Sequence, residues 1–328
     1  MPTLQLPYKL SVLAATFLLI AGGGPNPANA EYPERTIRLI VPFAPGGASD
    51  YVARLLSARL QDKLGQTLIV ENKGGAGGNI GITAAARAKP DGYTFLVTSS
   101  SIVINPSLYR TASYDAVKDF APVTELTVSP NVIAVNAKSD IKDLKDLIAK
   151  ANANPGKYNY STPGVGTTAH FTMEVLKAQR KIDIVHIPFA GSGPALQALI
   201  GGQVQVTTSS LSAVMPFIAS GTIRILAVSG HKRWPDLPNV PTVAEEGFKN
   251  AEVETFQAVF APAGTPQSIV DRIAKEAIAV FETPAVKKTM IETGNLVTAT
   301  GPAALAKKVN AEVPHWREMV AKAKIPVN

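Results

Sequence analysis

Beyond residue 30 the chain alternates between short apolar runs and longer stretches whose apolar positions recur at helical spacing. The runs at 36–43 (TIRLIVPF), 67–72 (TLIVEN) and 93–99 (YTFLVTS) read as strands, and the segments from about Ser49 to Lys63 and near 79–88 as helices. This alternation predicts a parallel sheet with helices on its faces, because parallel strands need a crossover long enough to hold a helix. A strand at 131–135 (NVIAV) and a helix at 143–152 (DLKDLIAKAN) follow, with Ser139 and Asp140 as the expected caps. The order then repeats, with strands at 157–161, 183–189, 203–210 and 223–229 and helices from Thr168 to Gln179 and from Pro194 to Ile200. A last strand is expected at 255–262. From Gln267 onward the pattern is helical, with Pro284 and Pro302 opening new segments.

The first thirty residues stand apart. Leu10 to Ile20 (LSVLAATFLLI) is preceded by Lys9 and followed by Gly22-Gly23-Gly24-Pro25 and then Ala28-Asn29-Ala30. The run is shorter than the roughly 20 residues of a bilayer span, and Ala-x-Ala ahead of Glu31 is a small-residue cleavage pattern. Residues 1–30 therefore read as a cleaved signal peptide. The rest of the 328-residue chain is expected to be a soluble exported protein.

Composition removes several classes of chemistry. The chain has no cysteine, so disulfides, thiolate nucleophiles, cysteine metal centres and a lipidated N-terminal cysteine are excluded. With 46% hydrophobic and 17% charged residues it is too apolar for disorder, and its length suits two domains. The net charge of +7 raises nucleic acid as a partner. The densest basic pairs, Lys287-Lys288 and Lys307-Lys308, fall on expected helices, however, and no basic stripe is interleaved with aromatics. No nucleic-acid binding is expected; the surplus would mildly favour small anions.

Flexible, small and hydroxylated residues gather after the strands, three groups in each half. In the first half they are Pro45-Gly46-Gly47-Ala48-Ser49-Asp50, Lys73-Gly74-Gly75-Ala76-Gly77-Gly78-Asn79 and Thr98-Ser99-Ser100-Ser101. In the second they are Thr162-Pro163-Gly164-Val165-Gly166-Thr167-Thr168, Ala190-Gly191-Ser192-Gly193-Pro194 and Thr207-Thr208-Ser209-Ser210. Open α/β sheets bind ligands beyond the carboxyl ends of their strands. Glycine admits close backbone approach, and a following helix offers free N–H groups to an anion. The local likeness of VPFAPGG (41–47) to IPFAGSG (187–193) points to two facing half-sites that close over a small ligand by a hinge motion.

Enzymatic motifs are weak by comparison. Gly164-Val165-Gly166-Thr167-Thr168-Ala169 fits a dinucleotide fingerprint, but Asp183 opens its strand, whereas a ribose-binding acid belongs at the far end. Ser139-Asp140-Ile141-Lys142 matches S-x-x-K without its partner motifs. The four histidines, His170, His186, His231 and His315, lack metal-ligand spacing, and only His170 falls near a proposed loop, as pocket wall or as a hydrogen-bonded helix residue. Asp50 either buttresses the glycine loop or accepts a hydrogen bond from a ligand, and Lys73 either offsets ligand charge or points to solvent. No catalytic residue, metal or cofactor is expected.

Taken in order, VPFAPGGASD, VENKGGAGGNIG, DGYTFL, STPGVGTTAHF, VHIPFAGSGPALQALIGGQV and FAPAGTP resemble the Bug or TctC family, the substrate-binding receptors of tripartite tricarboxylate transporters. The resemblance implies an α/β, two-lobed type II periplasmic-binding-protein fold with a ligand cleft between the lobes. Domain one would comprise 31–126 plus 254–328, domain two 127–253, with crossings near Glu125 to Pro130 and Val253 to Gln257. It implies a monomeric receptor in the periplasm, not an enzyme, that delivers a small organic carboxylate to membrane transporter subunits. A sensing module for a signalling system and, less readily, a periplasmic α/β enzyme using the same cleft are the alternatives. Carried onto this sequence, the ligand-binding set is Phe43, Ala44, Gly46, Gly47, Ser49, Asp50, Gly75, Ala76, Gly77, Ser99 and Ser100 from one lobe. The other lobe would supply Thr162, Gly166, Thr167, Thr168, Ala190, Gly191 and Ser210. Phe43 and Phe189 would flank the ligand as apolar walls.

Overall fold

A computed structural model describes residues 2–3, 32–323 and 325; the expected signal peptide lies almost wholly outside these residues. The first lobe begins with β1 (Ile37–Val41), α1 (Ala48–Leu64), β2 (Leu68–Asn72), α2 (Asn79–Ala86) and β3 (Thr94–Ser99). Here β1 lies between β2 and β3 and is parallel to both, as the run of apolar strands separated by helices predicts. A one-turn helix α3 (Ser101–Ile104) then leads to the 17-residue strand β4 (Phe120–Asn136).

The second lobe holds α4 (Leu144–Ala153), β5 (Asn159–Thr162), α5 (Thr168–Arg180), β6 (Val185–Pro188), α6 (Ser192–Ile200), β7 (Val206–Ser210), α7 (Leu211–Ala219) and β8 (Ile223–Val228). Strand β5 is parallel to β6 and β7. The chain returns through β9 (Glu254–Pro262) to α8 (Gln267–Phe281), α9 (Pro284–Glu292), β10 (Leu296–Thr300) and α10 (Pro302–Ala323).

The centre of the sheet corrects the expectation of purely parallel pairing. Strands β4 and β9 run antiparallel to each other, β9 is antiparallel to β3, and β4 is antiparallel to β7, β8 and β10. Strand β4 is also far longer than the expected 131–135. Its residues Phe120 to Pro130 pair with β9, and Asn131 to Val135 pair with β7. It thus runs unbroken through the division expected at 126/127. Two prolines disguise its first half. Pro122 lies at a register shift, and Pro130 lies where the partner strands change, places where a missing N–H is tolerated.

Three smaller expectations are also corrected. The cap of α4 is Asp143, whose side chain accepts the Asp146 N–H. Ser139 instead accepts the Ile141 N–H, and Asp140 pairs with Lys150. Helix α7 contains Pro216 and so does not read as a helix, and the mixed polar run of β10 interrupts the expected helical C-terminus.

Packing joins the lobes behind the cleft. One buried apolar cluster draws on both, including Ile40, Leu96 and Phe260 from the first and Ile133, Tyr160 and Phe171 from the second. Phe171 of α5 meets Trp316 of α10 edge to face at 5.1 Å. On β4, the buried Glu125 carboxylate accepts a 2.6 Å salt bridge from Lys308 of α10. Among the described residues no helix is long and apolar enough to cross a membrane.

Candidate functional site

The carboxyl ends of β1, β3, β5, β6 and β7 point toward the junction of the lobes, and their following loops enclose a cavity of about 40 Å³. By that measure one water needs roughly 10–15 Å³, so the space holds a few waters or one small solute. Three helix N-termini reach it: Gly47, Ala48 and Ser49 from α1, Thr167, Thr168 and Ala169 from α5, and Ser192 from α6. The N-caps of α1 and α6 are Gly47 and Gly191, and neither helix has a side-chain cap. Their first-turn amides therefore remain free to donate, and the partial positive charge of each terminus faces inward. On α5, Thr167 accepts the His170 N–H at 3.2 Å.

Strand residues form the floor. Asn131 on β4 and Thr255 and Gln257 on β9 line the cavity. Thr168 meets both Thr255 and Asn131, and the Thr255 hydroxyl donates to Asn131 Oδ1 at 3.1 Å. The Ser49 hydroxyl donates to Gln257 Oε1 at 2.6 Å, which turns the Gln257 amide nitrogen away as a donor without a protein acceptor among these contacts. The Ser209 hydroxyl donates to Ser192 Oγ at 2.9 Å, leaving the Ser192 proton free. Ser99, Ser210, Phe43 and Pro163 complete the wall, and among the described residues none that lines the cavity is ionisable. The arrangement is a neutral, donor-rich chamber suited to an anion.

Of the residues singled out from the sequence, Phe43, Gly47, Ser49, Ser99, Thr167, Thr168 and Ser210 meet at this cavity. Others of that set form the seam where the lobes touch. The Ala44 N–H donates to the Ala190 carbonyl at 2.8 Å, and a Cβ on Gly191 would lie 2.9 Å from Ala44 N. Gly77, with φ at +63°, lies beneath the Val165 carbonyl with no room for a Cβ, and Tyr109 donates to that same carbonyl at 3.1 Å. Gly166 packs against Asn105 in the same way. The second glycine loop therefore abuts the other lobe through Gly74, next to the Ala190 carbonyl, and Gly77, and Gly75 and Ala76 do not line the cavity. Ser100 Oγ accepts the Phe256 N–H at 3.0 Å, and Thr162 Oγ1 is 2.7 Å from His186 Nε2. Phe189 likewise lies outside the cavity wall.

The Asp50 carboxylate is fully engaged: Oδ2 accepts the Gly46 N–H at 3.1 Å and Arg54 Nε at 3.0 Å, and Oδ1 accepts Asn72 Nδ2 at 2.9 Å. Burial pushes its pKa up, but the hydrogen bonds from Arg54, Gly46 and Asn72 outweigh this and hold it below its ordinary 3.8. In this geometry Asp50 buttresses the first glycine loop. Lys73 pairs with Glu71 at 3.0 Å. His170 is buried in α5 with Nδ1 unpartnered. Sequence reasoning named the loop of Ser192 without placing that residue in the binding set, and missed Asn131, Thr255 and Gln257. A signal for the last two was present, since Thr255 and Gln257 place polar groups two residues apart on one face of an otherwise apolar strand.

Known proteins resemble this chain in sequence and in fold. Residues 52–325 match the family described as "Tripartite tricarboxylate transporter family receptor". Protein BugT of Bordetella pertussis is 35% identical over 322 residues, covering 96% of this chain and 99% of that one. The solved structure of R. palustris Rpa4515 with adipate is 34% identical with a TM-score of 0.86, covering 90% of this chain and 99% of that one. MatC of Rhodopseudomonas palustris with bound malate is 32% identical with a TM-score of 0.83, covering 88% and 100%. The two lobes, the loops gathered at their junction and these likenesses over nearly the whole described chain lead to one assignment: this protein belongs to the TctC family of tripartite tricarboxylate transporter receptors, the Bug proteins.

Proposed function

We propose that the protein is a periplasmic receptor that closes over a small organic carboxylate and delivers it to the membrane subunits of a tripartite transporter, without chemical turnover. The observation that carries this reading is the convergence of uncapped helix N-termini from both lobes on a chamber with no ionisable lining residue. Charge-assisted hydrogen bonds from neutral donors hold a carboxylate and still release it, as a delivery protein requires. The α1 and α6 termini lie side by side, a Cβ on Gly47 falling 3.7 Å from Ser192 N, and so together suit one acid group of the ligand. The absence of a lining carboxylate disfavours an ammonium, so plain or hydroxylated acids are preferred to amino acids. The adipate and malate bound by Rpa4515 and MatC agree with that class.

The lobes in this reading are 31–126 with 254–328 and 127–253, and the segment 1–30 is removed on export. Mass spectrometry of the small molecules released by denaturing the purified protein, followed by thermal-shift titration with succinate, malate, adipate and monocarboxylates, tests the proposal. A carboxylate that co-purifies and raises the melting temperature supports it. Binding of a sugar or metal with no response to any acid refutes it.

A further inference from the structure

Lobe two contains a column of stacked rings that the cavity does not use directly. Tyr160 and His186 lie 4.7 Å apart with an interplanar angle of 21°, and His186 and His170 lie 4.5 Å apart at 22°. The Tyr160 hydroxyl donates to Glu174 Oε1 at 2.5 Å, which also accepts Lys177 Nζ at 2.7 Å. Burial pushes the pKa of His170 down to about 4 and that of His186 to about 3, so the stacked imidazoles are neutral near pH 7.

The middle ring reaches out of the column. His186 Nε2 is 2.7 Å from Thr162 Oγ1, where β5 ends. Thr162 Oγ1 also accepts the Gly164 N–H at 3.2 Å, the Gly164 carbonyl accepts the Thr167 hydroxyl at 2.8 Å, and Thr167 Oγ1 accepts the His170 N–H at 3.2 Å. This circuit runs from β6 through Thr162 and the 163–167 loop into the first turn of α5. That loop and turn bring Pro163, Thr167, Thr168 and Ala169 to the cavity.

We propose that His186 is a positioning residue for ligand binding: through Thr162 it fixes the loop that presents the α5 N-terminus to the solute. A hydroxyl has one proton to donate. Given to His186, that proton leaves the Gly164 carbonyl to Thr167. Without a ring nitrogen it turns back to the Gly164 carbonyl, 3.3 Å away, and the loop loses its tie to β6. Phenylalanine would fill the stack as histidine does, so the nitrogen is the element that matters. What is bound rests on the carboxylate reading above; the bracing of the loop does not.

The test uses His186→Phe, His186→Gln, Thr162→Val and the double variant His186→Phe/Thr162→Val. In each, amide hydrogen exchange over 164–169 is measured in the ligand-free protein, with melting temperature and calorimetric titration of succinate, malate and adipate. In His186→Phe, exchange in that segment is expected to rise about tenfold, and affinity for whichever acid binds the wild type to fall about tenfold, the scale of one hydrogen bond. His186→Gln, which retains a polar group near Nε2, recovers most of both, and the double variant is no worse than either single one. Unchanged exchange in His186→Phe overturns the proposal. So does a glutamine variant as damaging as phenylalanine with a lowered melting temperature, which would mark the ring as core filling only. If no acid binds the wild type while exchange responds as described, the carboxylate reading fails and the positioning role stands.

Discussion

Gly193 gives a prediction in which stability and affinity move in opposite directions. It lies in the first turn of α6, and its φ is not in the left-handed region. Within lobe two alone, alanine should therefore be accepted, and Gly→Ala at a compatible position stabilises by about 0.4–1 kcal/mol through the unfolded state. Across the seam, however, the new methyl would sit well inside van der Waals contact with the Pro45 carbonyl oxygen of the other lobe. Relieving that overlap requires the lobes to back off by roughly 1 Å. A separation of that size carries the 2.8 Å bond from Ala44 N–H to the Ala190 carbonyl beyond hydrogen-bonding range. The bond is worth about 0.5–1.5 kcal/mol net, and the loop contacts beside it weaken as well. Because apparent affinity scales with the closure-competent fraction, a tenfold or greater loss is expected. Calorimetry with the acid that binds the wild type best, ligand-free melting temperature, and small-angle scattering with and without ligand read the three quantities. Unchanged affinity together with normal ligand-induced compaction in Gly193→Ala would refute the idea that backbone contact at the seam limits closure.

Three further outcomes follow from the site and its supports. Succinate should bind at least tenfold more tightly than aspartate, because the chamber offers an ammonium no carboxylate; comparable affinities in competition titration would remove the argument from the neutral lining. Lys308→Met leaves Glu125 buried without its counter-ion and should cost about 3 kcal/mol, while adding Glu125→Leu restores much of it; equal urea midpoints for wild type and the single variant contradict this. Because burial lowers the pKa of His170 from its ordinary 6.5 to about 4, the unfolded chain binds the extra proton over that interval and stability falls as pH drops through it. The contribution from His170 is about 3 kcal/mol, so urea unfolding of His170→Phe should show a flatter dependence between pH 6.5 and 4, and identical slopes would refute it.

The sequence exposes the outer parts of this architecture better than its centre. Strands β1, β2 and β3 are short apolar runs divided by helices, and β5, β6 and β7 are short valine-, tyrosine- and threonine-bearing runs in the same alternation, so strand propensity and the alternation with helices find them. Strand β4 hides because Pro122 and Pro130 look like breaks, yet both fall where pairing changes. The glycine loops were legible as the ends of the cleft, but their division of labour was not. A glycine that lets backbone approach a solute and one that lets backbone approach another loop carry the same signal, as Gly47 and Gly77 illustrate. Gly47 borders the cavity, whereas Gly77 meets Val165 across the seam. Asn131 and Gln257 belong to strands, and their exposure to the cleft depends on how two distant segments cross.

The crossing strand also constrains how such a receptor can diversify. Since β4 pairs with β9 along its first part and with β7 along its second, the first lobe does not correspond to a stretch of sequence that recombination can exchange whole: a fragment ending at residue 126 would cut β4 within its pairing with β9 and leave β9 itself on the other piece. Variation has a freer route through the loops at the strand ends, which are short and local. New solute preferences in this architecture are therefore expected to arise by substitution around a fixed frame, with the two halves inherited together.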